Sequence, residues 1–184
     1  MPNWCSNNLK ITGNIDRLQQ FRAENVKDDG NGLTLDFNFV APLPDDQQEN
    51  WYEWQCKNWG TKWTGDVYNV DITIFPVDNP DLTIGFSTAW APPEPWIEKA
   101  SLKYPDLNFH LLYEEGGLNF GGYFTAQNGE TSGECAELLT IDEETGRGVK
   151  YDSDRDRYFF TDSGEVIEDE DYYPEQVNAF TESI

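Results

Sequence analysis

The sequence has few basic residues. It contains 12 Lys and Arg against 35 Asp and Glu, which gives a formal net charge of -23. Binding to a phosphate backbone needs Lys and Arg to displace counterions, so the composition argues against direct binding to nucleic acid. An acidic surface also repels anionic membranes and attracts basic proteins. We therefore expect a basic protein partner, and neither a nucleic-acid nor a membrane partner.

Histidine and cysteine are also rare. The single histidine, His110, lies in the predicted strand LNFHLLY, where a packed or surface role is favoured over catalysis. The three cysteines, Cys5, Cys56 and Cys135, form neither a CxxC pair nor a Cys/His cluster. This spacing predicts neither a disulfide framework nor a zinc site.

Motifs for phosphate binding and nucleophilic catalysis are missing too. The sequence has no P-loop, no GxGxxG and no nucleophile elbow. The stretch DSDRDR (152–157) resembles the start of a calcium loop, but Arg157 stands where the required glycine would be. The sequence therefore predicts no catalytic residue, no cofactor and no metal site, and a non-enzymatic protein is favoured.

Long apolar runs are absent. No segment approaches the length of a membrane span, and the first residues lack the basic and apolar regions of a signal peptide. From this pattern we expect a soluble cytoplasmic protein.

Aromatic residues, by contrast, are plentiful, with 7 Trp, 9 Tyr and 11 Phe. Disordered chains are poor in aromatics, so most of the chain is expected to fold. Trp4 is unusual because a bulky ring so near a terminus is normally frayed. Trp51, Trp54, Trp59 and Trp63 cluster in and just after a predicted helix. Such a cluster fills a thin core or forms a ligand or partner site, and core packing is favoured.

Hydrophobic periodicity predicts an α+β protein. Asn14 is a plausible N-cap for the first helix, and an alternating strand is expected from Leu33 to Phe39. The predicted strands cover 6–13, 33–39, 67–76, 81–88, 107–113 and 118–125, and the predicted helices cover 15–27, 45–60 and 91–105. This order fits a ferredoxin-like two-layer sandwich, an antiparallel-rich sheet with helices on one face and an inserted Trp-rich helix.

The composition changes near residue 130. Residues 130–184 hold 17 acidic and 4 basic residues, whereas residues 1–129 hold 18 and 8. Turn sequences such as DEETG and DSG separate short apolar segments beyond this point. We therefore predict a ferredoxin-like domain over residues 1–129 and an acidic C-terminal extension with short hairpins over residues 130–184.

Several phrases in the same order carry a family resemblance. MPNWCSNNLKITG at the start is followed by NWGTKW (58–63), FSTAWAPP (86–93) and YEEGGLNFGGYF (113–124). These phrases resemble the YubB-type, or Api92-like, ferredoxin-like family of phage and plasmid proteins over residues 1–126. The resemblance implies a ferredoxin-like core and a gene carried by a phage or another mobile element in a bacterial host. It implies no established activity and no catalytic residues, and it suggests that Trp4 packs with other phrase-bearing tryptophans.

One hypothesis is a non-enzymatic inhibitor of a host defence protein, of the anti-CRISPR or anti-restriction type. It would act as an acidic DNA mimic and occupy a basic groove that normally binds nucleic acid. Its partner-binding residues would be Asp142, Glu143, Glu144, Asp152, Asp154, Asp156, Glu168, Asp169, Glu170 and Asp171.

The alternative hypothesis is a small-molecule or nucleotide-binding module that sequesters its ligand. Aromatic stacking and one cation would hold a base and a phosphate. Its ligand site would comprise Trp4, Asn58, Trp59, Lys62, Trp63 and Trp90.

Overall fold

The fold is seen in a computed structural model that describes residues 3–28, 30, 32–74, 80–152, 157–168, 172 and 174–180. Within these residues the chain forms three α-helices, α1 (Ile15–Asn25), α2 (Trp51–Asn58) and α3 (Glu94–Lys103). The strands are β1 (Trp4–Thr12), β2 (Val26–Asp28), β3 (Leu33–Leu35), β4 (Gly65–Thr73), β5 (Asp81–Ala89), β6 (Asn108–Glu115), β7 (Phe120–Gln127), β8 (Glu130–Glu137), β9 (Leu139–Ile141), β10 (Val149–Asp152), β11 (Arg157–Phe160) and β12 (Glu175–Val177).

Four strands and two helices form a ferredoxin-like unit at the centre. Along the chain they run β1, α1, β4, β5, α3, β6, while across the sheet the strands lie in the order β4-β5-β1-β6. Each neighbouring pair is antiparallel. This is the split βαβ arrangement repeated once. The predicted α+β class and ferredoxin-like domain are confirmed.

The sheet extends beyond this unit on both sides. β3 and β2 continue it next to β4, and β7 and β8 continue it next to β6, which makes eight strands among the described residues. β8 pairs with β7 from Gln127↔Glu130 to Phe120↔Glu137. The sheet therefore continues past residue 129 and ends in a strand whose residues are all exposed.

Aromatic rings fill the core between the sheet and the helices. Phe37 stacks on Trp96 with ring centroids 4.6 Å apart, and the Trp96 indole nitrogen donates to the Phe37 carbonyl at 3.1 Å. Phe21 of α1 contacts Tyr104 and Phe109 edge to face. All five rings are buried. Each buried ring of this kind contributes roughly 1.5–3 kcal/mol through removal of apolar surface from water.

The alternating segment after Leu33 is shorter as a strand than the sequence predicts. β3 ends at Leu35, and Phe37–Phe39 form a 3-10 turn instead of continuing the strand. The Asp36 carboxylate caps this turn by accepting from the Asn38 amide at 3.0 Å. Alternation did not reveal the turn because Phe37 is buried in either conformation. The expected N-cap is present, since Asn14 Oδ1 accepts from the Asp16 amide at 2.9 Å.

The C-terminal residues form two small antiparallel pairs, β9 with β12 and β10 with β11. They contact the large sheet near the β6–β7 turn. The Asn178 side chain donates to the Tyr113 carbonyl at 2.8 Å, and the Phe180 ring lies 5.3 Å from that of Tyr123. Among the described residues, no helix is long and apolar enough to cross a membrane.

Candidate functional site

Three tryptophans and one lysine meet on the protein surface. The rings of Trp4 and Trp63 lie 6.1 Å apart, and those of Trp63 and Trp90 lie 6.5 Å apart. The Lys62 ammonium lies 4.7 Å from the Trp63 ring centre and 5.5 Å from that of Trp90. We call Trp4, Lys62, Trp63 and Trp90 the tryptophan platform. Trp4 is 45% exposed and Trp90 37% exposed, so the platform presents aromatic surface to solvent.

Trp4 is held by the sheet although it lies near the start of the chain. It opens β1 in register with Ala89 at the end of β5. The residue before it also contributes, because the Asn3 carbonyl accepts from the Trp90 amide at 2.9 Å. Backbone pairing with β5 therefore fixes the first of the three rings.

Trp63 is positioned by a short loop after α2. In this loop the buried Thr61 hydroxyl donates to the Ala89 carbonyl at 2.9 Å and accepts from the Ala89 amide at 3.1 Å. Gly60 allows this loop to pass close to Pro92. It has a φ of +84°, and a Cβ there would lie 2.8 Å from the Pro92 carbonyl oxygen. The loop is thus attached to the same strand end as Trp4.

Trp90 adopts an unusual backbone conformation. Its φ is +66°, a value that bulky residues rarely adopt. The Ala91 amide donates to the Ala89 carbonyl at 2.9 Å across it, which makes a γ-turn of the rare positive-φ type. Such a conformation costs on the order of 1–3 kcal/mol and persists only when its surroundings enforce it.

A buried polar network supports this turn. The Thr88 hydroxyl donates to the Ala91 carbonyl at 2.7 Å, and the Asn7 side chain donates to the Thr88 hydroxyl at 2.8 Å. Asn7 and Thr88 are fully buried. A satisfied buried network is rigid because breaking one bond leaves a desolvated polar group. The strain at Trp90 is therefore held by β1 and β5 together.

Two residues of the predicted ligand site do not join the platform. Trp59 is 1% exposed, and its indole nitrogen donates to the Ala41 carbonyl at 2.8 Å within the core. Asn58 accepts from the Lys99 ammonium at 2.8 Å through its side-chain oxygen. The structure thus brings together Trp4, Lys62, Trp63 and Trp90 of the six, and separates Asn58 and Trp59 from them.

Among the acids of the first hypothesis that the structure describes, two have internal partners. Asp142 is 9% exposed and accepts from the Thr145 amide at 2.9 Å and from the Tyr172 hydroxyl at 3.0 Å. The hydrogen bond from the Thr145 side chain is the main cause that lowers the Asp142 pKa. Glu168 pairs with Arg157 at 2.7 Å.

The other predicted acids are Glu143, Glu144, Asp152, Asp154, Asp156, Asp169, Glu170 and Asp171. Glu143 and Glu144 are exposed in the turn after β9. Asp152 ends β10, and its side chain lies outside the described residues. Asp154, Asp156, Asp169, Glu170 and Asp171 also lie outside the described residues.

No group of three His, Cys, Asp or Glu side chains within the described residues could hold a metal ion. His110 lies on β6 opposite Lys10 of β1, and burial followed by the Lys10 charge lowers its pKa. This arrangement favours neutral His110 at physiological pH.

The comparison with protein families agrees with the architecture. A family model described as the ferredoxin-like domain in Api92-like protein matches residues 59–150. A solved structure, protein Api92 from Yersinia pseudotuberculosis, is 15% identical with a TM-score of 0.44. The match covers 56% of this chain and 39% of that one, so this chain spans well under half the length of that relative. No curated protein matches the chain in sequence.

Proposed function

The chain belongs to the Api92-like family, and on its ferredoxin-like scaffold we propose a non-enzymatic binding protein that captures a basic partner protein through the tryptophan platform. The observation that carries this proposal is a cluster of three tryptophans in which Trp4 and Trp90 are exposed and Trp90 has a strained backbone. Tryptophan is enriched among the few residues that dominate binding energy at interfaces. Strained backbone conformations cluster at functional sites. Elsewhere in a protein, selection for stability removes them.

The charge of the protein defines the class of partner. A formal net charge of -23 creates a negative potential that accelerates encounter with basic surfaces. Basic surfaces of bacterial proteins commonly serve to bind nucleic acid. We therefore propose as the target a nucleic-acid-binding protein, with a defence effector as the biological setting. In this arrangement the platform supplies the short-range contact, while Glu143, Glu144 and the other exposed acids supply steering in the manner of a DNA mimic.

The proposal is tested by capture from a bacterial lysate with matched tryptophan variants. Tagged wild-type protein, Trp63→Ala and Trp51→Ala would be used as baits at low and high salt, with bound proteins quantified by mass spectrometry. Trp51 is the control because it is 41% exposed and its ring contacts Tyr52 rather than the platform. We expect a basic protein that wild type and Trp51→Ala capture at low salt and that Trp63→Ala loses. Equal capture by Trp63→Ala would contradict the proposal.

The same platform supports a second candidate, a nucleotide-binding site. The observation in its favour is that Lys62 places a cation next to two indole rings. A base could stack on Trp63 or Trp90 while the ammonium binds the phosphate. Titration with adenosine monophosphate distinguishes the candidates. Saturable quenching of tryptophan fluorescence that is weakened by Lys62→Gln would support the nucleotide site, and an unchanged signal would exclude this nucleotide.

A further inference from the structure

The last strand of the large sheet, β8, has one edge that pairs with no other strand in the part of the chain that the structure describes. It pairs with β7 on one side and is the terminal strand in the order of the eight strands described. All eight of its residues, Glu130–Glu137, are exposed. A strand in this position presents unpaired backbone groups that can pair with another chain.

The hairpin geometry shows which backbone groups point outward. The turn between β7 and β8 has two residues, Asn128 at φ +48° and Gly129 at φ +82°, which is a type I′ turn. In such a hairpin the flanking residues, Gln127 and Glu130, form a hydrogen-bonded pair. Pairing then alternates along the strand. The amides and carbonyls that face away from β7 belong to Thr131, Gly133, Cys135 and Glu137.

Proline, lysine and a β-bulge, three of the devices that block an exposed edge, are missing from β8. Its sequence, ETSGECAE, contains no Pro and no Lys, and its register with β7 runs without a bulge. Natural proteins use such features to prevent pairing with other chains. What β8 has instead is negative charge, with three glutamates in eight residues.

This charge selects the partner strand. Glu130 and Glu134 lie on the same face of β8, opposite Gln127 and Tyr123 of β7. Antiparallel pairing of two copies of β8 would bring these like charges together, which is destabilising. A strand with Lys or Arg at alternate positions would instead form cross-strand pairs of opposite charge. The edge therefore disfavours self-association and favours a basic segment.

The other face of β8 offers contact with aromatic rings in a partly polar groove. A groove of about 470 Å³ lies there, lined by Phe124, Tyr113 and Glu94 together with β8 residues such as Gly133 and Cys135. Because Gly133 lacks a side chain, a large side chain on an added strand can reach over it toward Phe124. A matching added strand would therefore have alternating residues, with basic side chains on one face and apolar side chains on the other.

From these observations we propose that β8 binds an extended basic segment of a partner protein as a ninth strand of the sheet. The proposal rests on the proposed capture of a basic partner, and it assigns a second contact surface separate from the tryptophan platform. Main-chain hydrogen bonds at the four outward-facing residues supply affinity, and Glu130 and Glu134 supply the preference for basic residues.

A synthetic peptide of alternating lysine and valine residues is a direct probe. Amide hydrogen exchange of the full chain would be followed by NMR with and without the peptide. We expect slower exchange at the amides of Thr131, Gly133, Cys135 and Glu137, and little change at Ser132 and Glu134, which are already bonded to β7. A peptide with glutamate in place of lysine should give no protection. Protection that is absent from β8, or equal for the two peptides, would overturn the proposal.

Matched variants separate the charge and backbone contributions. Glu130→Gln with Glu134→Gln should weaken peptide binding several-fold, whereas Glu49→Gln with Glu53→Gln, an equal change in net charge at exposed positions in and just before α2, should leave it nearly unchanged. Cys135→Pro removes one outward amide at a position where an edge strand tolerates proline, while Cys135→Ser retains it. Only Cys135→Pro should lose binding; equal binding by these two variants would contradict pairing at β8.

The proposals for the tryptophan platform and for β8 can be tested independently. Trp63→Ala should bind the peptide as wild type does, because the platform lies at the ends of β1 and β5, and β6 and β7 separate these strands from β8 in the sheet. Loss of partner capture by Trp63→Ala together with normal capture by Cys135→Pro would retain the proposed function and refute strand addition.

Discussion

Trp90 allows a test that separates backbone strain from side-chain packing. Trp90→Ala and Trp90→Gly remove the same ring contacts with Trp63 and Lys62, and differ only in whether a Cβ must be held at a φ of +66°. The left-handed region costs an L-residue about 1–2 kcal/mol. The greater freedom of glycine in the unfolded chain offsets about 0.4–1 kcal/mol of that difference. Trp90→Gly should therefore be more stable than Trp90→Ala by about 0.5–1 kcal/mol.

The assay is urea unfolding followed by far-UV circular dichroism, with stability compared at the midpoints. Ala23 provides the control because it is exposed within α1, where backbone geometry is ordinary. At that position Ala23→Gly should destabilise by about 0.5–1 kcal/mol, so the preference for glycine reverses between the two sites. If Trp90→Ala were as stable as Trp90→Gly or more so, the strained turn would be refuted. Both Trp90 variants should lose partner capture.

Two further predictions concern the core and the pH dependence of stability. Trp59→Ala should destabilise the fold by about 3–5 kcal/mol, measured by urea unfolding, because the ring is buried and its bond to the Ala41 carbonyl is lost; a cost below about 1 kcal/mol would contradict its core position. Burial raises the pKa of Glu94, an effect that the Tyr113 hydroxyl partly opposes, so its ionised form is disfavoured by folding. Glu94→Gln should therefore stabilise the protein relative to wild type at about pH 7, and the gain should shrink as the pH falls to about 3, where the carboxyl is protonated in both folded and unfolded states. A gain that stays constant over this pH range would contradict the assigned cause.

The central architecture could be predicted from the sequence because its signals are local. Helical spacing and a capping asparagine indicated α1, and Pro92, Pro93 and Pro95 indicated the start of α3. Alternation of apolar and polar residues indicated the strands. The order of these strands and the helices along the chain predicted a ferredoxin-like sheet. The predicted strand was too long after Leu35 because alternation continues through Phe39, while the Asp36 side chain caps a turn there.

The site was harder to predict because it depends on contacts between distant parts of the chain. The sequence indicated Trp4, Trp63 and Trp90 as candidate site residues. It contains no local signal that distinguishes them from the buried Trp59, which is only four residues from Trp63. That separation is made by Gly60, whose positive φ turns the chain after α2, and by the bonds between Thr61 and Ala89. The positive φ of Trp90 had no sequence signal, since such a conformation is normally indicated by Gly or Asn.

The tryptophan platform is tested most directly with the basic protein recovered by capture. Its Kd would be measured by isothermal titration with wild type, Trp63→Ala and Trp51→Ala, after circular dichroism has shown that all three are folded. A hot-spot residue contributes about 2 kcal/mol or more, so Trp63→Ala should weaken binding by about 30-fold or more. Trp51→Ala should stay within about two-fold of wild type. Wild-type affinity in Trp63→Ala, or an equal loss in both variants, would contradict the platform as the binding site.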